Sequence, residues 1–158
     1  MTNLAPVAPD ADVYGVCRPG HLGSDFDEWV GTLERAGVER VVCLLSRTEA
    51  TRWGLPDGYA GRFETAHAPV RDRHLPDEAT LSAALDAVGG VASTGRVALH
   101  CNAGLGRTGV VAAAWLTRER GYTPEAAVRT VEEAGRAPRE AVRCGNATEA
   151  ALLALLSE

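Results

Sequence analysis

Residues 96–109 of the chain read RVALHCNAGLGRTG, and this stretch indicates the class of fold. Its first five residues form a short apolar run that is typical of a buried strand in a parallel sheet. Residues 101–106 include two glycines, which favour a tight turn because glycine adopts backbone angles that other residues avoid. The alanine-rich segment from Thr108 to Arg120 then predicts a helix that ends at Gly121. The stretch therefore predicts a strand, a turn and a helix in direct succession.

The rest of the chain alternates between short apolar runs and segments in which apolar residues have helical spacing. Further strands are predicted over residues 40–45 and 62–68. Further helices are predicted over residues 25–36, 77–88, 123–134, 138–143 and 148–156, whereas residues 48–59 are predicted to be a loop or loosely helical. This alternation predicts an α/β fold with a central, mostly parallel sheet, helices on both faces and a ligand site beyond the carboxyl ends of the strands.

The length of 158 residues predicts one domain that spans residues 1–158. An irregular lead-in over residues 1–20 is predicted from Pro6, Pro9, Pro19 and Gly20. No apolar run reaches the roughly 18–20 residues that would cross a bilayer. Residues 1–19 lack the regions of a secretory signal, so a cytoplasmic protein is expected. The net charge of −5 argues against a protein that binds nucleic acid or a membrane surface through charge.

The four cysteines, Cys17, Cys43, Cys101 and Cys144, are widely spaced and include no CxxC pair. In a chain without an export signal, this spacing predicts free thiols rather than disulfides. It also predicts no zinc site, and no metal or other cofactor is expected. Cys101 differs from the other three because it follows His100 directly and precedes the glycine-containing turn.

The predicted turn between strand and helix has the features of an anion site. It can curl so that several backbone N–H groups point inward at the start of a helix, which forms a cradle for a phosphate-like dianion. Arg107 opens the helix, and its guanidinium can hold two phosphate oxygens in a bidentate clamp. The predicted substrate-binding residues are Asn102, Ala103, Gly104, Leu105, Gly106 and Arg107.

Cys101 and its neighbours in this stretch are candidate catalytic residues. The same positive potential favours the thiolate of Cys101, and a thiolate beside a phosphate cradle supports phosphoryl transfer through a phosphocysteine intermediate. Arg107 and the backbone donors would stabilise the charge of the transition state. The hydroxyl of Thr108 can donate to the sulfur and assist it as the leaving group of the second step. His100 is expected to orient the turn through hydrogen bonds.

The run from His100 to Gly109 resembles the signature of the cysteine-dependent protein phosphatases, which is a His-Cys pair, five residues, and Arg-Thr or Arg-Ser. Its Ala-Gly-x-Gly-Arg interior is similar to theirs as well. From about Val38 to the C-terminus the chain looks like a small dual-specificity phosphatase of the atypical, kinase-associated type, and residues 41–49 (VVCLLSRTE) are similar to a strand and loop of that group. The resemblance implies hydrolysis of phosphotyrosine and/or phosphoserine/threonine in a phosphorylated protein.

The resemblance also places a general acid within residues 69–77 (PVRDRHLPD). Asp72 follows a predicted strand in a Pro-x-x-Asp context similar to that of the family, and Asp77 is the second candidate. One carboxyl group can protonate the leaving oxygen and later activate water, whereas Asp77 also suits a helix N-cap. Asn146 lies where related phosphatases often hold an Asn or Gln near the hydrolytic water, and a turn after Gly145 explains it equally well.

Other functions remain as alternatives. A phosphoinositide or RNA 5′-phosphate substrate is disfavoured, because residues 102–106 add no positive charge inside the turn and the net charge of the chain is −5. A pseudophosphatase that only binds phosphoproteins would need neither Cys101 nor Asp72. A rhodanese or an arsenate reductase would lack the Arg-Thr-Gly continuation. The predicted partners are therefore phosphorylated proteins and oxyanions, without nucleic acid or membrane, and the sequence indicates no particular oligomeric state.

Overall fold

Strands and helices alternate along the chain in the computed structural model, which describes residues 2–90 and 95–158. The strands are β1 (Ala5–Pro6), β2 (Val13–Val16), β3 (Val38–Cys43), β4 (Glu64–His67) and β5 (Arg96–His100). The α-helices are α1 (Phe26–Arg35), α2 (Arg47–Trp53), α3 (Glu78–Gly89), α4 (Gly106–Arg120), α5 (Pro124–Glu133), α6 (Glu140–Arg143) and α7 (Glu149–Leu156). None of the helices in these two ranges has the length and apolarity needed to span a membrane.

β5 lies at the centre of the sheet, whose strand order is β1-β2-β5-β3-β4. It pairs in parallel with β2 on one side and β3 on the other, β4 extends the parallel sheet beyond β3, and β1 is antiparallel to β2. His100 at the end of β5 is in register with Val16 of β2 and Cys43 of β3. The carboxyl ends of three strands therefore meet around the residue that precedes Cys101. The predicted α/β fold with a mostly parallel sheet is confirmed.

Helices cover both faces of the sheet because alternate residues of each strand point to opposite sides. Val42 and Leu99 belong to the apolar cluster that α3, α4, α5 and α7 complete. Val41 and Ala98 belong to the cluster on the other face, which contains Trp29 of α1. Complete burial of a large apolar side chain stabilises the fold by about 1.5–3 kcal/mol. Apolar side chains thus pack against both faces of β5, the strand that leads directly into Cys101.

Polar side chains cap several of the helices at their N-termini. Asp25 accepts a hydrogen bond at the start of α1, and Thr123 does the same at the start of α5. Ser46 and Glu49 form a capping box at the start of α2. A cap of this kind satisfies N–H groups that the first turn of a helix leaves free. Of the two alternatives predicted for residues 48–59, a helix is therefore correct for the part within α2.

The prediction of an irregular lead-in over residues 1–20 is wrong for the two segments that form β1 and β2. Val13 and Val16 of β2 are buried, and this strand pairs with the central strand β5 over four residue pairs. Prolines and a glycine are local signals, whereas a strand such as β2 is stabilised by a pairing partner from a distant part of the chain. The local composition therefore predicted irregular structure where the chain forms β1 and β2.

Candidate active site

Residues 101–107 leave the carboxyl end of β5 and curl into the N-terminus of α4; we call this segment the anion loop. The N–H groups of residues 102–105 make no hydrogen bond to any described part of the protein. Leu105 occupies the N-cap of α4 and supplies no capping side chain. Free N–H groups at the positive end of a helix favour a bound anion. The anion loop therefore has the donors that the sequence predicted for this turn.

Gly104 allows the anion loop to close against β2. Its φ of +75° lies in the left-handed region. A Cβ at this position would overlap the carbonyl of Val16 and lie 2.6 Å from the backbone nitrogen of Cys17. The next residue, Arg18, donates its N–H to the carbonyl of Asn102 over 2.9 Å. The end of β2, which the sequence analysis missed, is thus the surface on which the anion loop rests.

The sulfur of Cys101 lies at the base of the anion loop. Cys101 is 3% exposed, and the hydroxyl of Thr108 donates a hydrogen bond to its Sγ over 3.3 Å. Thr108 belongs to the first turn of α4, so the helix dipole favours a negative charge on this sulfur. Cys43 is in a different environment, since burial raises the pKa of its thiol to about 11. Cys43 is therefore a neutral core residue, whereas Cys101 lies at the N-terminus of α4 with a hydrogen-bond donor on its sulfur.

His100 lies below the anion loop and is completely buried. Its Nδ1 is 2.9 Å from the carbonyl oxygen of Cys101, and its Nε2 is 2.6 Å from the hydroxyl of Tyr59. A carbonyl can only accept, so Nδ1 carries the proton and Nε2 of the neutral ring accepts from Tyr59. Burial lowers the pKa of His100 to about 4. A ring that stays neutral and has both nitrogens occupied can orient the loop but has no free nitrogen with which to shuttle protons.

The guanidinium of Arg107 is held by residues outside the anion loop. Its Nη1 donates to Glu49 Oε1 over 2.6 Å and to the carbonyl of Val70 over 2.9 Å, and its Nη2 donates to Glu49 Oε2 and to Asp72 Oδ1 over 3.1 Å. Its Nε is buried and has no partner among the described residues. Burial alone would lower the pKa of Arg107, but the hydrogen bond to Glu49 and the surrounding negative charges raise it. The arginine therefore keeps its charge in the buried site.

Glu49 is a site residue that the sequence analysis did not identify. Burial raises the pKa of its carboxyl group, but hydrogen bonds from Arg107 and Ser46 outweigh that effect, so the pKa is lowered overall. Its Oε1 accepts from both Arg107 Nη1 and the N–H of Ser46. The pattern Ser-x-x-Glu at residues 46–49 is a capping box that could have been recognised in the sequence. The pairing of Glu49 with Arg107 could not have been recognised in the sequence, because the two residues are far apart along the chain.

The two candidate general acids lie in different environments. Asp72 is beside Arg107, with Oδ1 3.1 Å from Nη2, and its side chain is 41% exposed. Asp77 instead caps α3, where it accepts from the N–H of Thr80 over 2.7 Å. That hydrogen bond lowers the pKa of Asp77, which disfavours the protonated form that an acid needs. The structure therefore brings Asp72, and not Asp77, next to Arg107.

Asn146 contacts the loop that carries Asp72 rather than the anion loop. Its Nδ2 donates to the carbonyl of Arg73 over 2.9 Å. Arg73 has a φ of +60°, and His74 adds a second contact, because its Nδ1 donates to the carbonyl of Asp72 over 2.8 Å. The hydrogen bond from Asn146 suits a residue that holds the loop carrying Asp72 in place. The turn at Gly145 that the sequence also allowed is present, with a φ of +77°.

The site combines a nucleophile, a cradle of donors and a carboxyl group. Cys101 can attack an electrophilic centre, the anion loop can hold an oxyanion, and the partly exposed Asp72 can exchange a proton. Over residues 2–90 and 95–158, no three His, Cys, Asp or Glu side chains are grouped so that they could hold a metal ion. The chemistry that this arrangement supports is the transfer of a phosphoryl group to and from the sulfur.

Comparisons with known proteins agree with this geometry. The profile of a family described as "Polymorphic toxin system, DSP-PTPase phosphatase" matches residues 15–121. This range begins in β2, ends just after α4 and contains the anion loop, Glu49 and Asp72. No curated protein sequence matches the chain.

Three solved structures with similar folds are Tk-PTP in its active form, kinase associated phosphatase (KAP) with its catalytic-site cysteine replaced by serine, and PTPMT1 in complex with PI(5)P. Tk-PTP is 24% identical, the match covers 91% of this chain and 96% of that chain, and the TM-score is 0.70. KAP is 20% identical, the match covers 87% of this chain and 88% of that chain, and the TM-score is 0.70. PTPMT1 is 14% identical, the match covers 98% of this chain and 94% of that chain, and the TM-score is 0.68. Identities in this range establish a common fold.

Proposed function

Because the chain belongs to the DSP-PTPase phosphatase family of polymorphic toxin systems, we propose that it hydrolyses phosphotyrosine and/or phosphoserine/threonine monoesters through a phosphocysteine intermediate. Membership in this family confirms the dual-specificity type that the chain from about Val38 to its C-terminus resembles. The observation that carries the proposal is the common location of Cys101 Sγ, the free N–H groups of residues 102–105 and the Arg107 guanidinium at the carboxyl end of β5.

In the first step the Cys101 thiolate attacks the phosphorus of the monoester. A P–S bond forms while the P–O bond to the leaving group breaks, and protonated Asp72 transfers its proton to the leaving oxygen. The N–H groups of the anion loop and the unpartnered Nε–H of Arg107 donate to the equatorial oxygens of the transition state. The product of this step is a phosphocysteine and a free alcohol or phenol.

Binding of the substrate prepares Asp72 for its role as the acid. In the structure Asp72 accepts a hydrogen bond from Arg107 Nη2. A phosphate dianion in the anion loop would take over that donor and place a like charge beside the carboxylate. The substrate therefore releases the carboxyl group of Asp72 from Arg107, so that it is free to exchange a proton with the leaving oxygen.

In the second step water attacks the phosphocysteine. Asp72, now a carboxylate, takes a proton from the water, the new P–O bond forms and the P–S bond breaks. The thiolate of Cys101 leaves with both electrons of that bond, and the hydroxyl of Thr108 stabilises it through the hydrogen bond to Sγ. Inorganic phosphate is released, and Cys101 and Asp72 return to their initial states.

The composition of the anion loop supports a substrate with a single phosphate. Asn102, Ala103, Leu105 and Gly106 carry no charge, so the loop itself provides no additional cation for a second phosphate. A phosphorylated side chain of a protein fits this condition. PI(5)P is the ligand of the PTPMT1 structure, which is 14% identical to this chain; a phosphoinositide is therefore included in the test below as a competing substrate.

The proposal is tested by comparing wild type with Cys101→Ser on p-nitrophenyl phosphate. We expect turnover by wild type, loss of turnover by Cys101→Ser, and retained binding of vanadate or phosphate by the variant in calorimetry. Cys144→Ser is the matched control, since Cys144 is exposed and outside the site; its turnover should equal that of wild type. Undiminished turnover by Cys101→Ser would contradict the mechanism.

The substrate class is tested with a panel on the wild-type protein. Phosphotyrosine, phosphoserine and phosphothreonine peptides are compared with short-chain PI(5)P and a 5′-phosphorylated RNA oligonucleotide, by release of inorganic phosphate. We expect the highest kcat/KM on one or more of the peptides. A higher kcat/KM on the lipid or the RNA would show that this compound, rather than a phosphoprotein, represents the substrate class. Binding of phosphopeptides without release of phosphate would indicate a pseudophosphatase.

A further inference from the structure

Arg136 is a second buried arginine at the active site, and its charge has no carboxylate partner among the described residues. It lies in the segment between α5 and α6 and is 5% exposed. Arg107, the other buried arginine, is paired with Glu49 and Asp72. Burial of a charge without a counter-charge is costly. A negative charge close to the Arg136 guanidinium would offset that cost.

The hydrogen bonds of Arg136 attach it to the anion loop but do not neutralise it. Its Nη1 donates to the carbonyl of Gly104 over 2.6 Å, and its Nη2 donates to the carbonyl of Asn3 over 2.7 Å. Its Nε is buried without a partner in the described chain. Carbonyl oxygens are good acceptors, but they carry no net charge. The bond to Gly104 nevertheless ties the guanidinium to the residue at which the loop turns.

The position of the guanidinium explains a glycine in the middle of a strand. A Cβ at Gly15 of β2 would lie 2.9 Å from both Cζ and Nε of Arg136 and 3.0 Å from the methyl group of Thr108. Arg136 therefore occupies space that any larger residue at position 15 would fill. It also lies in the same region as Thr108, whose hydroxyl contacts Cys101 Sγ.

The segment around Arg136 is packed against the anion loop at further points. The N–H of Ala137 donates to the carbonyl of Leu105 over 2.9 Å. A Cβ at Gly109 of α4 would lie 2.9 Å from the backbone nitrogen of Pro138. The N–H of Arg136 itself donates to the carbonyl of Val131 over 2.9 Å. Because these contacts fix the backbone at Arg136 and directly after it, the side chain is held in place rather than free to move to solvent.

Two cysteines, Cys101 and Cys17, lie close enough to Arg136 to interact with its charge. Burial lowers the pKa of Arg136, and attraction to Cys101 and Cys17 acts in the opposite direction. Burial raises the pKa of Cys17, so that thiol stays neutral. The other charged groups around the loop are Arg107 with its two carboxylates, Arg18 beside Asn102, and Glu140, which packs against Gly106. Cys101, whose Sγ accepts a hydrogen bond from Thr108 in the same region, is then the group that would offset the charge of Arg136 as a thiolate.

We propose that Arg136 is a positioning residue of the anion loop, which holds the Gly104 carbonyl and supplies the second buried positive charge for the Cys101 thiolate or the oxyanion that replaces it. The inference rests on the proposed function, because it assumes that Cys101 reacts as a thiolate. It adds a cation from outside the motif of residues 100–109 to the machinery of the site.

The test measures the pH dependence of alkylation of Cys101 by iodoacetamide, in a Cys144→Ser background that removes the exposed thiol. We expect Arg136→Met to move the midpoint of alkylation upward by about one pH unit, which is about a tenfold loss of thiolate at lower pH. Arg136→Lys keeps the charge and should restore most of that shift. Vanadate should bind at least about tenfold more weakly to Arg136→Met.

Arg139→Met is the matched control, because Arg139 is only three residues away but is paired with Glu132 and Glu149; its alkylation midpoint should equal that of wild type. If Arg136→Met does not fold, Gly15→Ala, which displaces the guanidinium, is measured instead and should shift the midpoint in the same direction. The proposal is overturned if the Arg136→Met protein folds and its alkylation midpoint equals that of wild type. The same result for Gly15→Ala overturns it if Gly15→Ala has to be measured instead. Alkylation needs no substrate, so a wild type without turnover would reject the proposed function and leave this measurement valid.

Discussion

The Nη1 atom of Arg107 lies 2.6 Å from Oε1 of Glu49, and the same oxygen accepts the N–H of Ser46 at the start of α2. The carboxylate that caps α2 therefore also orients the arginine of the anion loop. Because Glu49 is fixed by its own helix, Arg107 is held in a single direction before any substrate binds. Such preorganisation of a charged donor is a large contribution to catalysis.

Replacement of Glu49 tests this relationship. Glu49→Gln keeps the shape of the side chain but removes its charge, so Arg107 is held less firmly, and kcat/KM should fall by about tenfold to a hundredfold. Glu49→Ala leaves a buried donor unpaired and should lower the free energy of unfolding by about 1–3 kcal/mol, measured by urea denaturation. Glu34→Gln, which removes one carboxylate of an exposed ion pair with Arg62, should change neither quantity appreciably. Turnover of Glu49→Gln within twofold of wild type would argue against the relationship.

Replacement of Asp72 distinguishes the two candidate acids. Asp72→Asn should lower kcat by about 10²–10⁴-fold, and the loss should be larger for substrates whose leaving group is a stronger base. Asp77→Asn is the matched control, because Asp77 caps α3; it should lower stability slightly without lowering kcat. Steady-state kinetics on aryl phosphates with different leaving groups provide the measurement. A large loss in Asp77→Asn together with a small loss in Asp72→Asn would exchange the two roles.

Replacement of Gly104 tests the fit of the anion loop on β2. Gly104 has a φ of +75°, and a Cβ there would overlap the backbone of Val16. Gly104→Ala should therefore abolish vanadate binding and lower kcat/KM by more than about a hundredfold. Gly121→Ala has nearly the same backbone angle, +70°, but nothing within 4 Å of the added Cβ. This control should lose about 1 kcal/mol of stability and retain activity. Equal effects of the two substitutions would show that the clash with β2 is unimportant.

The stability of the protein should depend on the ionisation of His100. Burial lowers its pKa from 6.5 to about 4, so the unfolded chain takes up a proton that the folded chain does not. Stability from this group is fully present above pH 6.5 and is lost as the pH falls toward 4. Between about pH 7.5 and 4.5 the loss from His100 should reach about 2–3 kcal/mol. Urea denaturation of wild type and His100→Asn over this range measures it, and equal slopes for the two proteins would refute it.

Several elements of the fold were predictable because their signals are local. The strand β5, the helix α4 with its end at Gly121, and the start of α5 at Thr123 follow from an apolar run, a left-handed glycine and a Thr-Pro pair. The strand β2 was missed, since Gly15 within it weakens a strand pattern and its burial depends on β5 and Arg136. Strand pairing over a long stretch of sequence leaves no local mark that composition could reveal.

The sequence by itself determined the phosphatase motif, with its nucleophile Cys101, its arginine Arg107 and its glycine-containing turn, because these residues are consecutive and their chemistry needs that spacing. Only the tertiary structure decided which carboxylates face Arg107 and which buried cation lies behind the anion loop. Glu49 and Asp72 follow β3 and β4, whose carboxyl ends lie at the same edge of the sheet as that of β5. Arg136 reaches the anion loop from the segment between α5 and α6. Charges act through space, so their partners depend on the folded arrangement and not on their order in the chain.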